Sequence, residues 1–152
     1  MTRIMIRYIA TAIWMMVLVS MFFPAAGAAQ ERLSVNVDTA NMRSGPGTNH
    51  DELWQVEKYH PVVVVEKQKD WYKIKDFEND MAWIHKSLLS SASSVITIKD
   101  KCNIRSGPGT DNPIVFTAER GVPFRVLETK GSWIKIQHAD NDIGWIYKTL
   151  VW

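Results

Sequence analysis

Four histidines, one cysteine, seven tryptophans and 16 acidic side chains are the groups with which this chain of 152 residues could do chemistry. Their spacing narrows the choice. His50, His60, His85 and His138 are scattered without the spacing of a metal-ligand set, and they are expected at the surface or rim. Cys102 stands alone, so no intramolecular disulfide can form, and without a histidine partner it reads as a small buried side chain rather than a nucleophile. Asp140, Asn141, Asp142 and Gly144 share the opening of a calcium loop but lack its later glutamate, which leaves a solvated hairpin turn. No nucleophile, base and orienting group converge in the pattern, and no paired carboxylates do. A binding protein is expected rather than an enzyme, with no cofactor and no metal. The groups that recur are aromatic and cationic: Trp71 with Trp133, Trp83 with Trp145, and Arg43 with Arg105. An indole left in water forgoes about 25 cal/mol per Å², so each ring should have either a cover or a ligand. Each arginine either donates to carbonyls of its own loop or pairs with a ligand carboxylate.

These residues recur because the chain writes one module twice. Arg43-Ser44-Gly45-Pro46-Gly47-Thr48 returns as Arg105-Ser106-Gly107-Pro108-Gly109-Thr110, an offset of 62 residues that also carries Pro61 to Pro123, Trp83 to Trp145 and Leu88 to Leu150. About a third of the aligned positions are identical, and nothing is inserted between the copies. The modules occupy residues 33–90 and 95–152, joined by a short polar linker at 91–94. Proline's fixed φ followed by glycine predicts a type II turn at Pro46-Gly47 and at Pro108-Gly109.

The elements that hold these residues read as strands. Val62 to Val65 is a β-branched run, and Lys69-Asp70 or Gly131-Ser132 supplies a two-residue hairpin turn before Trp71 or Trp133. Short strands with turns every 8 to 12 residues indicate an all-β fold of five or six strands per module, a small barrel or sandwich. Tyr72/Ile134 and Ile74/Ile136 alternate with lysines and face inward, which leaves Trp71 and Trp133 on the outer face. Because Val63 becomes Arg125, that position is expected to face water. Ile84 and Ile146 are expected in the core, with Trp83 and Trp145 at the rim.

The first 29 residues read differently. Arg3 and Arg7 precede an apolar run and then Ala25-Ala26-Gly27-Ala28-Ala29, the order of a signal peptide, and about 16 apolar residues fall short of the roughly 20 that span a bilayer. Export to the periplasm or the extracellular cell envelope is expected, with membrane contact only in transit. Those two arginines are the only charges among these residues, so the remainder carries 16 basic and 16 acidic side chains. That balance has no basic stripe for a phosphate backbone, and nucleic acid is not expected as a partner.

Three stretches in the same order, twice, resemble the bacterial Src homology 3 domain. They are the Asn-x-Arg-Ser-Gly-Pro-Gly opening, Trp71-Tyr72-Lys73-Ile74 with Trp133-Ile134-Lys135-Ile136, and Ala82-Trp83-Ile84-His85-Lys86-Ser87-Leu88 with Gly144-Trp145-Ile146-Tyr147-Lys148-Thr149-Leu150. The resemblance implies two tandem small β-barrels, each ending in a helical turn near residues 86–89 and 148–151. It implies recognition of peptidoglycan or of a peptide segment of an envelope protein, with Trp71 and Trp133 as contacts. Trp83, Trp145, Arg43, Arg105 and Tyr147 are further candidates at the groove. The groove's late tyrosine is replaced by Leu88 and Leu150, which argues against polyproline ligands. Two alternatives stand beside wall binding: an assembly subunit docking on another envelope protein or on itself, and an accessory to a separately encoded wall hydrolase.

Overall fold

The computed structural model describes residues 30–152, so the expected signal segment lies outside the described residues. Module 1 comprises β1 (Arg32–Val35), β2 (Thr39–Arg43), β3 (Glu52–Glu57), β4 (Pro61–Gln68), β5 (Trp71–Lys75), β6 (Met81–His85) and β7 (Leu89–Ser90), in the sheet order β3-β2-β6-β5-β4-β1-β7. Module 2 comprises β8 (Ser94–Ile96), β9 (Cys102–Arg105), β10 (Ile114–Ala118), β11 (Pro123–Lys130), β12 (Trp133–Gln137) and β13 (Ile143–Tyr147), in the order β10-β9-β13-β12-β11-β8. A 3-10 turn follows the last long strand of each, at Lys86–Leu88 and Lys148–Leu150, where the helical turns were expected. Module 1 exceeds six strands because Leu89 and Ser90 pair with Val35 and Ser34. Trp152 does the same work in module 2, exchanging both backbone hydrogen bonds with Ile96 at 2.9 and 3.2 Å.

The eight-residue strands β4 and β11 each bend at a bulge, between Val64 and Glu66 and between Val126 and Glu128. The extra residue turns the strand, so its first half pairs with β1 or β8 while its second half pairs with β5 or β12. The two-residue turns form as expected, with Lys69 at φ 55° and Gly131 at φ 60°. The core of module 1 gathers Val35, Ala40, Met42, Val62, Ile74 and Ile84, and that of module 2 gathers Cys102, Ile104, Phe124, Ile136 and Ile146. Cys102 thus fills the place of Ala40, and burial pushes its thiol pKa up.

Two expectations about the corner and the outer faces are corrected. The Pro-Gly corner is not a type II turn, for neither Gly47 nor Gly109 has positive φ. Gly47 N–H donates to the Gly45 carbonyl, and Gly109 N–H to that of Gly107, each at 3.0 Å, which makes a three-residue turn whose central proline suits the fixed φ. The leading glycine is needed for space, since a Cβ on Gly45 would overlap the His50 ring and one on Gly107 would lie 2.6 Å from Asn112 Oδ1. Val63 does not face water either; it is 6% exposed.

Val63 is buried because β4 lies against β8 of the second module. Around this seam the Arg32 guanidinium stacks over the Trp152 ring at 3.9 Å, and Arg120 lies over the Phe77 ring at 5.4 Å while donating to Glu78 Oε1 at 3.2 Å. His60, expected at the surface, is 7% exposed. Its ring packs edge-on to Phe77 at 6.0 Å, and its Nε2 has no hydrogen-bond partner. Burial without a partner lowers its pKa from the ordinary 6.5 to about 4.

A base whose pKa is depressed by folding leaves full stability above the unfolded value and removes it as pH falls toward the folded one, here between 6.5 and about 4. The loss should be on the order of 3 kcal/mol. Asp76, which lines the same cleft, is shifted up by burial and works in the opposite sense, so the histidine is isolated by comparison. Between pH 6.5 and about 4 the wild type is expected to lose on the order of 3 kcal/mol more stability than His60→Val, the residue module 2 carries at that position, in melts followed across that range.

A second prediction concerns Gly144. A Cβ there would overlap Ile104 Cγ2 and crowd the Arg105 carbonyl oxygen at 3.1 Å, yet module 1 holds Ala82 at the matching place, beside the unbranched Met42. Gly144→Ala should cost about 1–3 kcal/mol by overpacking, and adding Ile104→Met should recover most of it in a denaturant titration.

Candidate binding grooves

Each module carries an open cleft at corresponding positions, of about 550 Å³ in module 1 and 350 Å³ in module 2. Trp71 and His85 form one wall of the first, with Arg43 and Thr48 of the Arg-Ser-Gly-Pro-Gly-Thr corner, Asn41 and Leu88 completing it. The second is built from Trp133, Tyr147, Arg105, Thr110, Asn103 and Leu150, each 62 positions on.

The strands explain the wall. Trp71 is the first residue after the β4–β5 turn and stands directly across from His85 on β6, as Trp133 stands across from Tyr147. Directly opposed side chains share a face, and both pairs meet edge to face at 5.3 Å, with interplanar angles of 84° and 73°. Each indole is therefore half-buried against its neighbour, with the rest of the ring turned into the cleft. His85 is fixed further by Ser87, whose hydroxyl lies 2.7 Å from Nδ1.

Arg43 and Arg105 hold the opposite wall. Arg43 Nη1 donates to the His50 and Thr48 carbonyls at 2.9 and 3.3 Å, and Nη2 donates to Glu52 Oε1 at 2.7 Å. Arg105 Nη1 donates to the Asn112 carbonyl at 2.8 Å. Glu52 is replaced by Ile114, so among the described residues Arg105 has no carboxylate partner. Lys101 lines the second cleft where Thr39 lines the first. The second groove is thus the more cationic of the two.

Trp83 and Trp145 are not at the rim: they are 9% and 8% exposed and line neither groove. Each lies mid-sheet on the outer face, between Arg43 and Lys73 or between Arg105 and Lys135 on the adjoining strands. The stems of those long side chains cover the indole. The grooves bring together the other candidates, Trp71, Arg43 and His85 in one and Trp133, Arg105 and Tyr147 in the other. Leu88 and Leu150 line the grooves at the late-tyrosine position the resemblance implies, whereas Asn41/Asn103 and Thr48/Thr110 are groove residues not among the candidates expected from sequence, though their identity in both copies is a readable signal. What such a cleft can do is stack an aromatic face on a sugar or planar group and donate hydrogen bonds to its polar edge. Among the described residues no three His, Cys, Asp or Glu side chains gather to hold a metal ion.

The bacterial SH3 domain family profile matches residues 36–91 and again 99–152. A candidate N-acetylmuramoyl-L-alanine amidase of Bacillus subtilis (strain 168) is 27% identical over 135 residues, covering 82% of this chain and 26% of that protein. A probable cell wall amidase of Staphylococcus epidermidis is 36% identical over 52 residues, 34% of this chain and 18% of that protein. The chain therefore spans about a quarter or less of these relatives. Among solved structures, an NlpC/P60 family protein from Bacillus cereus aligns with a TM-score of 0.39 at 12% identity, covering 80% of this chain and 55% of that one.

The two classes of indole should separate by stability. Trp83→Ala and Trp145→Ala are expected to cost about 3–5 kcal/mol in denaturant unfolding, as for a buried aromatic, while Trp71→Ala and Trp133→Ala should cost clearly less.

Proposed function

The chain belongs to the bacterial SH3 domain family, and on that premise we propose that it is a non-enzymatic binding protein of the cell envelope whose two grooves take peptidoglycan. The observation that carries this reading is the double construction of one cleft, with a half-buried indole on one wall and a loop-held arginine on the other, at positions kept in both copies. Trp71 and Trp133 supply flat apolar faces for a sugar ring or for a stem-peptide segment. Arg105, with Lys101 beside it, offers the charge for a stem carboxylate, while Arg43 is largely committed to its loop and Glu52. The wall as ligand is supported by relatives named as wall amidases, in which the matched region is a minor part of each protein. An envelope location accords with the basic, apolar and small-residue order of residues 1–29.

The same relatives favour a second reading, in which this chain serves as the wall-binding accessory of a hydrolase on another polypeptide. Both readings require groove contact with the wall. Residues 30–152, which hold both cores, should co-sediment with purified sacculi. The double variant Trp71→Ala/Trp133→Ala should lose on the order of 2 kcal/mol, about 30-fold in apparent Kd. Protein that stays in the supernatant, or a double variant that sediments like the wild type, overturns the assignment.

A further inference from the structure

The structure has a second pair of equivalent clefts, and among the described residues only one of them is bordered by the turn of another module. In module 1, Trp54, His60 and Phe77 face Gly121, Val122 and Pro123 of module 2 across a cleft of about 570 Å³. The matching cleft of module 2, about 400 Å³, is lined by Phe116, Phe124, His138, Asp140 and other residues of module 2 alone. We propose that it receives the turn at Lys58–Pro61 of a second copy of this chain, so that copies add head to tail. This contact is independent of the grooves assigned above to the wall.

The turn that would enter matches the one that already docks. Tyr59 and Gly121 are equivalent, both at positive φ (68° and 86°), and their N–H groups donate to the equivalent carbonyls of Val35 and Thr97, each at 2.8 Å. A tyrosine in the left-handed region is strained, yet module 1 keeps one there. Bulk is exchanged across the two contacts. Inside the chain, Gly121 meets the tip of the large Phe77 ring, where an added Cβ would be 3.9 Å away. Between copies, the large Tyr59 would meet Ala139, which leaves free the space that Phe77 fills. Charge is preserved as well. Arg120 pairs with Glu78 inside the chain, and the matching residues are Lys58 and Asp140. Lys58 has a 3.7 Å contact with Asp38, whose side chain is 97% exposed, and lies 5.7 Å over the Tyr59 ring, while Asp140 lies 3.2 Å from His138; these are surface contacts that can exchange partners.

The rest of the seam is polar in the second contact: the Arg32–Trp152 stack becomes Ser94 with Ser90, and Val63 becomes Arg125. Without that apolar patch, and without a linker to hold the partners together, the association is reversible and weaker than the internal one. Because the two contacting surfaces differ, it adds copies in an open array or a ring rather than stopping at a symmetric pair.

Sedimentation velocity on residues 30–152, from micromolar to millimolar concentration at low salt, tests this. The weight-average sedimentation coefficient should rise from that of a monomer toward a dimer and beyond. Ala139→Trp, Lys58→Glu and Asp140→Lys, each confirmed folded by circular dichroism, should each abolish the rise. An equimolar mixture of Lys58→Glu and Asp140→Lys should regain it, since one contact between the two chains is native and the other is the same pair reversed. A wild type that stays monomeric throughout, a rise that survives all three substitutions, or a mixture no more associated than its components overturns the proposal.

Discussion

The guanidinium of Arg43, and of Arg105 after it, is the interaction on which the functional surface depends. It stands at the end of β2 or β9 and ties the glycine-proline corner to its own strand through carbonyls five to seven residues on. The corner has few apolar side chains to bury, so without that tie it would have little beyond its own turn hydrogen bonds to hold it. One residue thereby does two things at once. Its head fixes the loop that forms one wall of the groove, and its position beside Trp83 or Trp145 shields an indole that would otherwise lie bare on the outer sheet face. A module of about 58 residues has room for a single apolar interior. Its remaining large rings must be covered from outside by long polar side chains, by neighbouring elements or by a ligand.

That constraint separates the four tryptophans repeated between the modules. Trp83 and Trp145 are flanked on both sides by strands that carry an arginine and a lysine, and they are covered. Trp71 and Trp133 follow a hairpin turn near the sheet's end, where a single aromatic neighbour covers one edge and the rest borders a cleft. The difference is one of place along the strand, not of side-chain type.

This is also why the fold was legible and the exposure was not. The 62-residue repeat, the β-branched run at Val62, the hairpin turns and the inward pair Ile74/Ile136 each depend on local chemistry, and the structure has them where the residues put them. Alternation along a strand tells which face a residue is on, and it placed Trp71 and Trp133 correctly on the outer one. It does not tell what lies over that face. The expectation of a rim position for Trp83 misses the cover that β2, distant in sequence, adds to that of the preceding β5, and the expectation of water for Val63 misses the cover of the other module. The corner differs for another reason: Pro-Gly permits a type II turn, but both copies close a tighter one between the leading glycine and the glycine after proline, with His50 or Asn112 against the former.

Comparing the two copies with one another recovers part of what alternation misses. Positions that keep their residue on a polar, accessible surface, such as Asn41/Asn103, Arg43/Arg105, Thr48/Thr110 and Trp71/Trp133, converge on one cleft in each module. A core can explain identity at Ile74, but not at a half-exposed asparagine. Positions that change size or sign in a correlated way do something else. His60, Val63 and Phe77 all lie where module 1 meets module 2, and their counterparts Val122, Arg125 and Ala139 lie where no other described residues make the matching contact. The change from Val63 to Arg125, expected to mark solvent, is instead the imprint of a contact that module 1 makes with module 2 inside the chain. Within a tandem repeat, sameness on the surface therefore points to a shared ligand groove, and paired difference points to the seam between the copies.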